Sequence, residues 1–401
     1  MSPEAEPRDS AWQVFLVFLR LGLTSFGGPI AHLGYFRTEF VERRRWLDDR
    51  SYTDLVALCQ FLPGPASSQV GMALGLGRAG WRGALAAWVG FTLPSAIALI
   101  LFAYGITEYR ALAESGWVHG LKVVAVAIVA QAVWGMARSL CPDRPRAGLA
   151  ILAALLTLLL PSAAGQIAAI VITGLLGHWT LKVTQPAVGR THAYPVSRKL
   201  GTVALLLFVI PLIGLPLWAA ANDSSTMALL EGVYRSGALV FGGGHVVLPL
   251  LQATVVPAGV VSNADFLAGY GAAQAVPGPL FTFAAYVGAM ASGPLHGWIG
   301  GLVLLGVIFL PAFLILVGAL PFWESLRYRA GIQTVMAGIN AGVVGILLSA
   351  LYDPLWTTAI HSRSDFGLAL AAFGLLTVGR LPPVCVVLAA AVAGWAMAPS
   401  M

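Results

Sequence analysis

Apolar runs follow one another along almost the whole chain, at 11–26, 52–76, 84–106, 117–137, 147–160, 164–181, 200–221, 227–241, 246–256, 266–290, 298–320, 332–351, 366–378 and 384–397. Most are long enough for the ~30 Å hydrocarbon core of a bilayer at 1.5 Å per helical residue. A backbone facing lipid must satisfy its own hydrogen bonds, which leaves helices or a closed barrel, and runs of this length are helical. The pattern predicts an all-α polytopic membrane protein with roughly a dozen helices. Composition agrees, with 58% hydrophobic and 10% charged residues, where a soluble domain carries about 25% charged. DNA-binding and cytosolic-enzyme readings drop out.

The formal charge of +6 is spread between the apolar runs, so it reads as the positive-inside signal of cytoplasmic loops, with no nucleic-acid patch. Glu4, Glu6 and Asp9 stand where a signal peptide would carry a basic region, so the first run is expected to stay as a membrane helix. Cys59, Cys141 and Cys385 have neither CxxC nor metal-ligand spacing. All three read as packing residues, with no disulfide framework and no metal site.

An internal repeat divides the chain. Arg20-Leu-Gly-Leu-Thr-Ser-Phe-Gly-Gly28 matches Arg235-Ser-Gly-Ala-Leu-Val-Phe-Gly-Gly243 at an offset of 215 residues (20 to 235). Gln60-Phe-Leu-Pro-Gly-Pro65 matches Gln274-Ala-Val-Pro-Gly-Pro279 at 214 (60 to 274), and Gly80-Trp-Arg-Gly83 with Pro94 matches Gly297-Trp-Ile-Gly300 with Pro311 at 217 (80 to 297). Three landmarks in one order mark a duplicated unit, the architecture of secondary transporters. The expected division is an N-terminal repeat over 1–183, a cytoplasmic linker over 184–199 containing Pro186, Arg190, Pro195 and Arg198, and a C-terminal repeat over 200–401. Arg37, Arg43, Arg44, Arg45 and Arg50 follow the first landmark, while no Lys or Arg lies between Leu248 and Asp265. That asymmetry predicts inverted repeats. Whether each Pro-Gly-Pro segment crosses the bilayer or turns back is open, with Arg78 and Arg82 favouring a return.

No helix runs straight through Pro63-Gly64-Pro65 or Pro277-Gly278-Pro279, because each proline lacks a donor and clashes with the preceding turn. Each segment is expected to form two half-helices, the second presenting free N–H groups and a positive dipole end to an anion. Ser67, Ser68 and Thr282 offer hydroxyls there, and Gln60 and Gln274 side-chain amides. A packing kink is the alternative; duplication and the flanking glutamines favour a substrate pathway. Arg20 and Arg235 occupy one place in the two repeats within apolar runs, where an arginine is expected to face the interior and can hold an oxyanion; snorkelling, or pairing with Glu231 or backbone carbonyls, is the equal alternative. Gly27 and Gly28, and Gly243 and Gly244, allow close backbone approach. His32 and His245 follow them as proton relays, anion ligands or packing residues. Lys122 is an intramembrane cation whose counterpart is Gln333, with functional and snorkelling readings both open. Glu39, Glu42, Asp48 and Asp49 read as carboxylates paired within the arginine cluster.

No lysine follows a glycine, so there is no phosphate-binding loop, and HExxH is absent. Energy must come from gradients or a partner.

FGGPIAHLGYFRTEFVERRRWL, LCQFLPGPASSQVG, FGGGHVVLPLL and YGAAQAVPGPLFTFAAYVG resemble the signatures of the chromate ion transporter family, in its two-half form. The resemblance implies a bacterial inner-membrane secondary transporter that exports chromate and confers chromate resistance, with sulfate as competitor or alternative substrate, no cofactor and no enzymatic activity. Phe26, Gly27, Gly28, Pro29, His32, Gln60, Pro63, Gly64 and Pro65 in the first half, and Phe241, Gly242, Gly243, Gly244, His245, Gln274, Pro277, Gly278 and Pro279 in the second, match the family pattern. A homodimer is one possible assembly. The reading from another class, a membrane enzyme or sensor, finds no cysteine or histidine cluster to build a redox centre.

Overall fold

The computed structural model describes residues 9–108, 115–182, 194, 196–222, 224–326 and 329–397; most of the expected linker, residues 184–193 and Pro195, lies outside them. The described chain is helical: α1 (Ala11–Thr24), α2 (Gly28–Arg37, continued by a π turn Thr38–Arg43), α3 (Asp49–Phe61), α4 (Ala66–Glu108), α5 (Gly116–Leu140), α6 (Arg144–Leu159), α7 (Ala163–Thr180) and α8 (Arg198–Ala221). Then come α9 (Ser225–Ala238), α10 (Val247–Val255), α11 (Asn263–Ala273), α12 (Phe283–Met290), α13 (Gly297–Ala319), α14 (Ala330–Ala350), α15 (Arg363–Thr377) and α16 (Pro383–Met397). One-turn 3-10 segments, Gly244–Val246 and Leu280–Thr282, lead into α10 and α12. Ser10, Asp48, Asp143, Ser162, Ser197, Ser224, Ser262 and Ser362 start helices by accepting a backbone N–H of the first turn.

Among the described residues six helical stretches are long and apolar enough to cross a membrane, and several other apolar runs are short helices. The short ones turn back. α1 enters beside Arg78, which binds Asp9 at 3.1 Å. After Gly27, α2 returns to the same end, with Phe40 stacked on Phe18 and Trp46 under Arg78. α3 re-enters and ends at Phe61, and α4 starts at Ala66 and brings the chain back once more. Although α4 runs over 43 residues, Gly80 (φ 61°, ψ −152°) folds it into two arms, so that the backbones of Gly75 and Gly83 meet. The first Pro-Gly-Pro segment therefore returns to the arginine-rich end, and only the second arm of α4 runs to the opposite end.

The second half repeats this path upside down. α13 corresponds to the second arm of α4, and the two pack antiparallel: Trp81 lies by Phe313, Trp88 by Phe309 and Tyr104 by Trp298. α8, which has no counterpart in the first half, carries the chain to the far end so that α9 starts there. It leans on α9 and α13, where the Tyr234 hydroxyl donates to Phe208 O at 2.9 Å.

Beyond the hairpins the halves exchange helices. α7 runs antiparallel along α14, with Gly177 against Gly338 and Thr173 against Gly342. α16 runs antiparallel along α5, with Gly120 against Ala390 and Gly394 against Gly116. Without a hydrophobic drive inside lipid, such close glycine crossings are what holds helices together. Arg37 to Arg50, Arg78, Arg82, Arg138, Arg144, Arg146, Lys182, Arg198, Lys199 and Arg329 gather at one end, Arg363 lies at the opposite end, and Arg380 stands in the turn into α16, shortly before Pro383.

Candidate functional site

The four helix breaks, at 25–27, 62–65, 239–243 and 274–279, meet in the middle of the bundle and hold one another through the backbone. Gly64 N–H donates to Val240 O at 2.7 Å, and Gly278 N–H donates to Ser25 O at 3.0 Å. These two bonds are equivalents under the repeat. Each Pro-Gly-Pro is fastened to the FGG break of the other half, a reciprocal arrangement that the inverted packing produces. Both glycines are in the left-handed region, φ 115° for Gly64 and 102° for Gly278. A Cβ on Gly64 would lie 2.8 Å from the Ala312 Cβ, and one on Gly278 2.9 Å from Ser95 Oγ. Ala312 and Ser95 are themselves repeat equivalents, so each break also seats against the long helix of the other half.

At every break a helix starts facing the centre: α2 at Gly28, α4 at Ala66, and the turns into α10 and α12 at Gly244 and Leu280. Their first-turn N–H groups and dipoles give the centre a positive field. A small cavity of about 20 Å³ opens there, lined among others by Gly27, Gly28, Pro29, His245, Gln274, Gly278 and Pro383. It has room for about one water. The Gln274 amide nitrogen is buried without a hydrogen-bond partner, and His245 Nδ1 pairs with the Tyr270 hydroxyl at 2.7 Å.

The first half carries a second group of polar side chains behind its breaks. His32 is 1% exposed; its Nε2 lies 3.1 Å from Ser25 O and its Nδ1 3.4 Å from Ser67 Oγ. Gln69 donates to Pro63 O and Ala312 O at 2.9 and 3.2 Å. The Ser25, Ser68 and Thr92 hydroxyls and the Gln69 carbonyl oxygen are buried with no partner.

Several expectations need correction. Arg20 is exposed on α1 and does not face the interior; the helix phase that buries Val17, Phe18 and Leu21 turns it outward. Arg235 lies inside and takes the pairing alternative: Glu231, one turn earlier on α9, holds its guanidinium through two bonds, at 2.6 and 3.2 Å, so its charge is neutralised. Gln60 is exposed on α3, one face away from the break that Gln274 serves in the other half. The Thr282 hydroxyl donates to Pro279 O at 2.8 Å and is spent on its own turn. Cys385 is exposed, whereas Cys59 is packed inside. The loop carboxylates pair as expected: Glu39 holds Arg43 and Arg44, while Glu42 and Asp49 hold Arg37. Asp48 caps α3, and Ser51 bonds to it hold its pKa below the usual carboxylate range.

Sequence reasoning passed over Ser25, Gln69, Thr92, Ser95 and Tyr270. Ser25 sits inside the FGG landmark and Tyr270 one helical turn before Gln274, which are the signals that point to them.

A family model described as Chromate transporter matches residues 12–178 and 227–395, one match in each half. A chromate transport protein of Pseudomonas aeruginosa is 29% identical over 99% of this chain and 95% of its own length. One of Cupriavidus metallidurans is 25% identical over 95% and 90%. An uncharacterized transporter of Methanocaldococcus jannaschii is 27% identical over 86% and 85%. No solved structure matches.

Proposed function

From the premise that this chain belongs to the chromate transporter family, we propose that it exports chromate across a bacterial inner membrane at the meeting point of its four helix breaks, and so confers chromate resistance. The observation that carries the site is the reciprocal pair of glycine bonds, Gly64 to Val240 and Gly278 to Ser25. It fastens four helix N-termini around the cavity that Gln274 and His245 line.

A dianion leaving water loses its hydration and needs donors already in place. Helix-start N–H groups and the free Gln274 amide supply them, and a site of dipoles releases its ion more readily than one built on buried arginine. In the conformation described here the cavity has room for about one water, so a tetrahedral oxyanion enters by widening it. Because each break hangs on the opposite half, rocking one half against the other moves two breaks together and suits alternating access. The positive-inside rule assigns the arginine-rich end to the cytoplasm. Outward movement of a dianion is then electrically downhill, by about 2.3 kcal/mol per charge per 100 mV. The donors read size, charge and shape, which sulfate shares, so sulfate is the expected competitor.

Purified protein in liposomes tests this. An imposed potential, negative on the side of origin, is expected to drive chromate across, with inhibition by sulfate. Absence of potential-driven chromate flux from well-folded protein contradicts the proposal.

A further inference from the structure

We propose that His32 is a proton-binding site coupled to the anion, so that the protein takes up a proton as it binds chromate. This deepens the preceding reading and rests on it. His32 stands outside the cavity and within the polar group of the first half. A backbone carbonyl only accepts, so the short contact to Ser25 O puts the hydrogen of the neutral ring on Nε2. Nδ1 then carries the lone pair, facing the Ser67 hydroxyl. That hydroxyl donates to a neutral ring and accepts from a protonated one, and it is ready for either state.

The coupling runs through one atom. Ser25 O accepts from His32 Nε2 and also from Gly278 N–H, and Gly278 lines the cavity. When Nδ1 gains a proton the ring becomes a cation, and its bond to Ser25 O becomes charge-assisted and stronger. The glycine amide then competes less well for that oxygen and is free to turn to an anion. The positive ring also lies one carbonyl away from that anion. Conversely, an anion that draws the Gly278 N–H away leaves Ser25 O to the ring and raises its affinity for the proton, as linkage requires.

The surroundings agree. The unpartnered buried hydroxyls of Ser25, Ser68 and Thr92 and the Gln69 oxygen call for water, the natural carrier of a proton to a buried ring. Phe91 packs edge-on at 5.2 Å. On the elements packed around the ring, α1 carries Arg20 on its exposed face, and α3 carries Cys59 inside and Tyr52, whose hydroxyl donates to Leu33 O. Asp49, Arg50 and Asp54 sit in the first turns of α3, toward the arginine-rich end, and on α2 itself Arg37 lies at that end too. The arms of α4 present Ser67, Thr92 and Ser95 there. In the second half Val247 stands at the place equivalent to His32, so the device exists once.

The experiment is titration calorimetry of chromate into the purified protein at pH 8 in buffers of different ionisation enthalpy, which counts protons taken up per anion bound. The wild type is expected to take up protons as it binds chromate, and His32→Gln to bind chromate with that uptake lost. No uptake by the wild type, or undiminished uptake by His32→Gln, overturns the assignment. Should His32→Gln fail to fold, Ser67→Ala carries the test. It removes the oxygen that accepts from the protonated ring, a stronger bond than its neutral counterpart, so uptake must fall; unchanged uptake overturns the proposal. If the wild type binds no chromate at all, it is the transport reading that fails.

Discussion

Behind the first Pro-Gly-Pro stand Ser67, Ser68 and Gln69; behind the second, at the same places in the repeat, stand Phe281, Thr282 and Phe283. The same contrast continues outward, with Ser25, His32, Thr92 and Ser95 in the first half answered by Val240, Val247, Phe309 and Ala312 in the second. Yet both halves keep the left-handed glycine, the long helix it seats on and the reciprocal hydrogen bond. The backbone cradle is common property. The side chains divide the work, with the second half supplying Gln274 and His245 to the cavity and the first half holding a buried titratable ring behind it.

Substitution at the shared glycines breaks the common part and has the largest expected effect. Gly64→Ala and Gly278→Ala each force a left-handed Cβ into a close contact and should cost about 3 kcal/mol, with chromate flux lost alongside. Gly28, at φ 79° with nothing near its absent Cβ, should cost only about 1 kcal/mol on the same change. Thermal unfolding in detergent separates the two, and equal losses would mean that the cradle is not specially packed.

The paired arginines sharpen the contrast next. Arg235→Met strands the 11% exposed Glu231 side chain and should cost about 3 kcal/mol. Adding Glu231→Gln should recover most of that, whereas Arg20→Met should stay within about 0.5 kcal/mol. A large loss at Arg20 would show that its exposed face is covered in the functional assembly.

The two glutamines differ by function. Gln274→Leu removes the free amide of the cavity and should weaken chromate binding about tenfold, or 1.4 kcal/mol. Gln60→Leu should leave it unchanged in the same binding assay. The smallest effects belong to the hydroxyls behind the first break: Ser68→Ala and Thr92→Val should each change stability by no more than about 1 kcal/mol in thermal unfolding, since each removes only a bond to water. A larger loss in either would mean that the hydroxyl holds a protein group instead.

Much of this was legible in the chain. Apolar runs announced a membrane bundle, and the repeated Arg, Pro-Gly-Pro and Gly-Trp landmarks announced the duplication, because proline and glycine restrict the backbone wherever they stand. The orientation of side chains was not legible. Arg20 and Arg235 share one place in the repeat, but helix phase turns the first outward, and a glutamate present only on α9 neutralises the second. The two glutamines before Pro-Gly-Pro part company for the same reason. That the Pro-Gly-Pro segments turn back depended on Gly80 and its counterpart Gly297, glycines of positive φ between apolar runs. The inverting role of α8 depended on its lack of a counterpart, which only the packing of α4 against α13 reveals.

The most direct measurement is the anomalous scattering of chromium in crystals of the protein grown with chromate. A single peak among Gly27, Gly28, Gln274 and Gly278, within hydrogen-bond distance of the backbone amides, is the predicted result. A peak on Arg20 or on the arginine cluster of the cytoplasmic end, with the centre empty, would contradict the account.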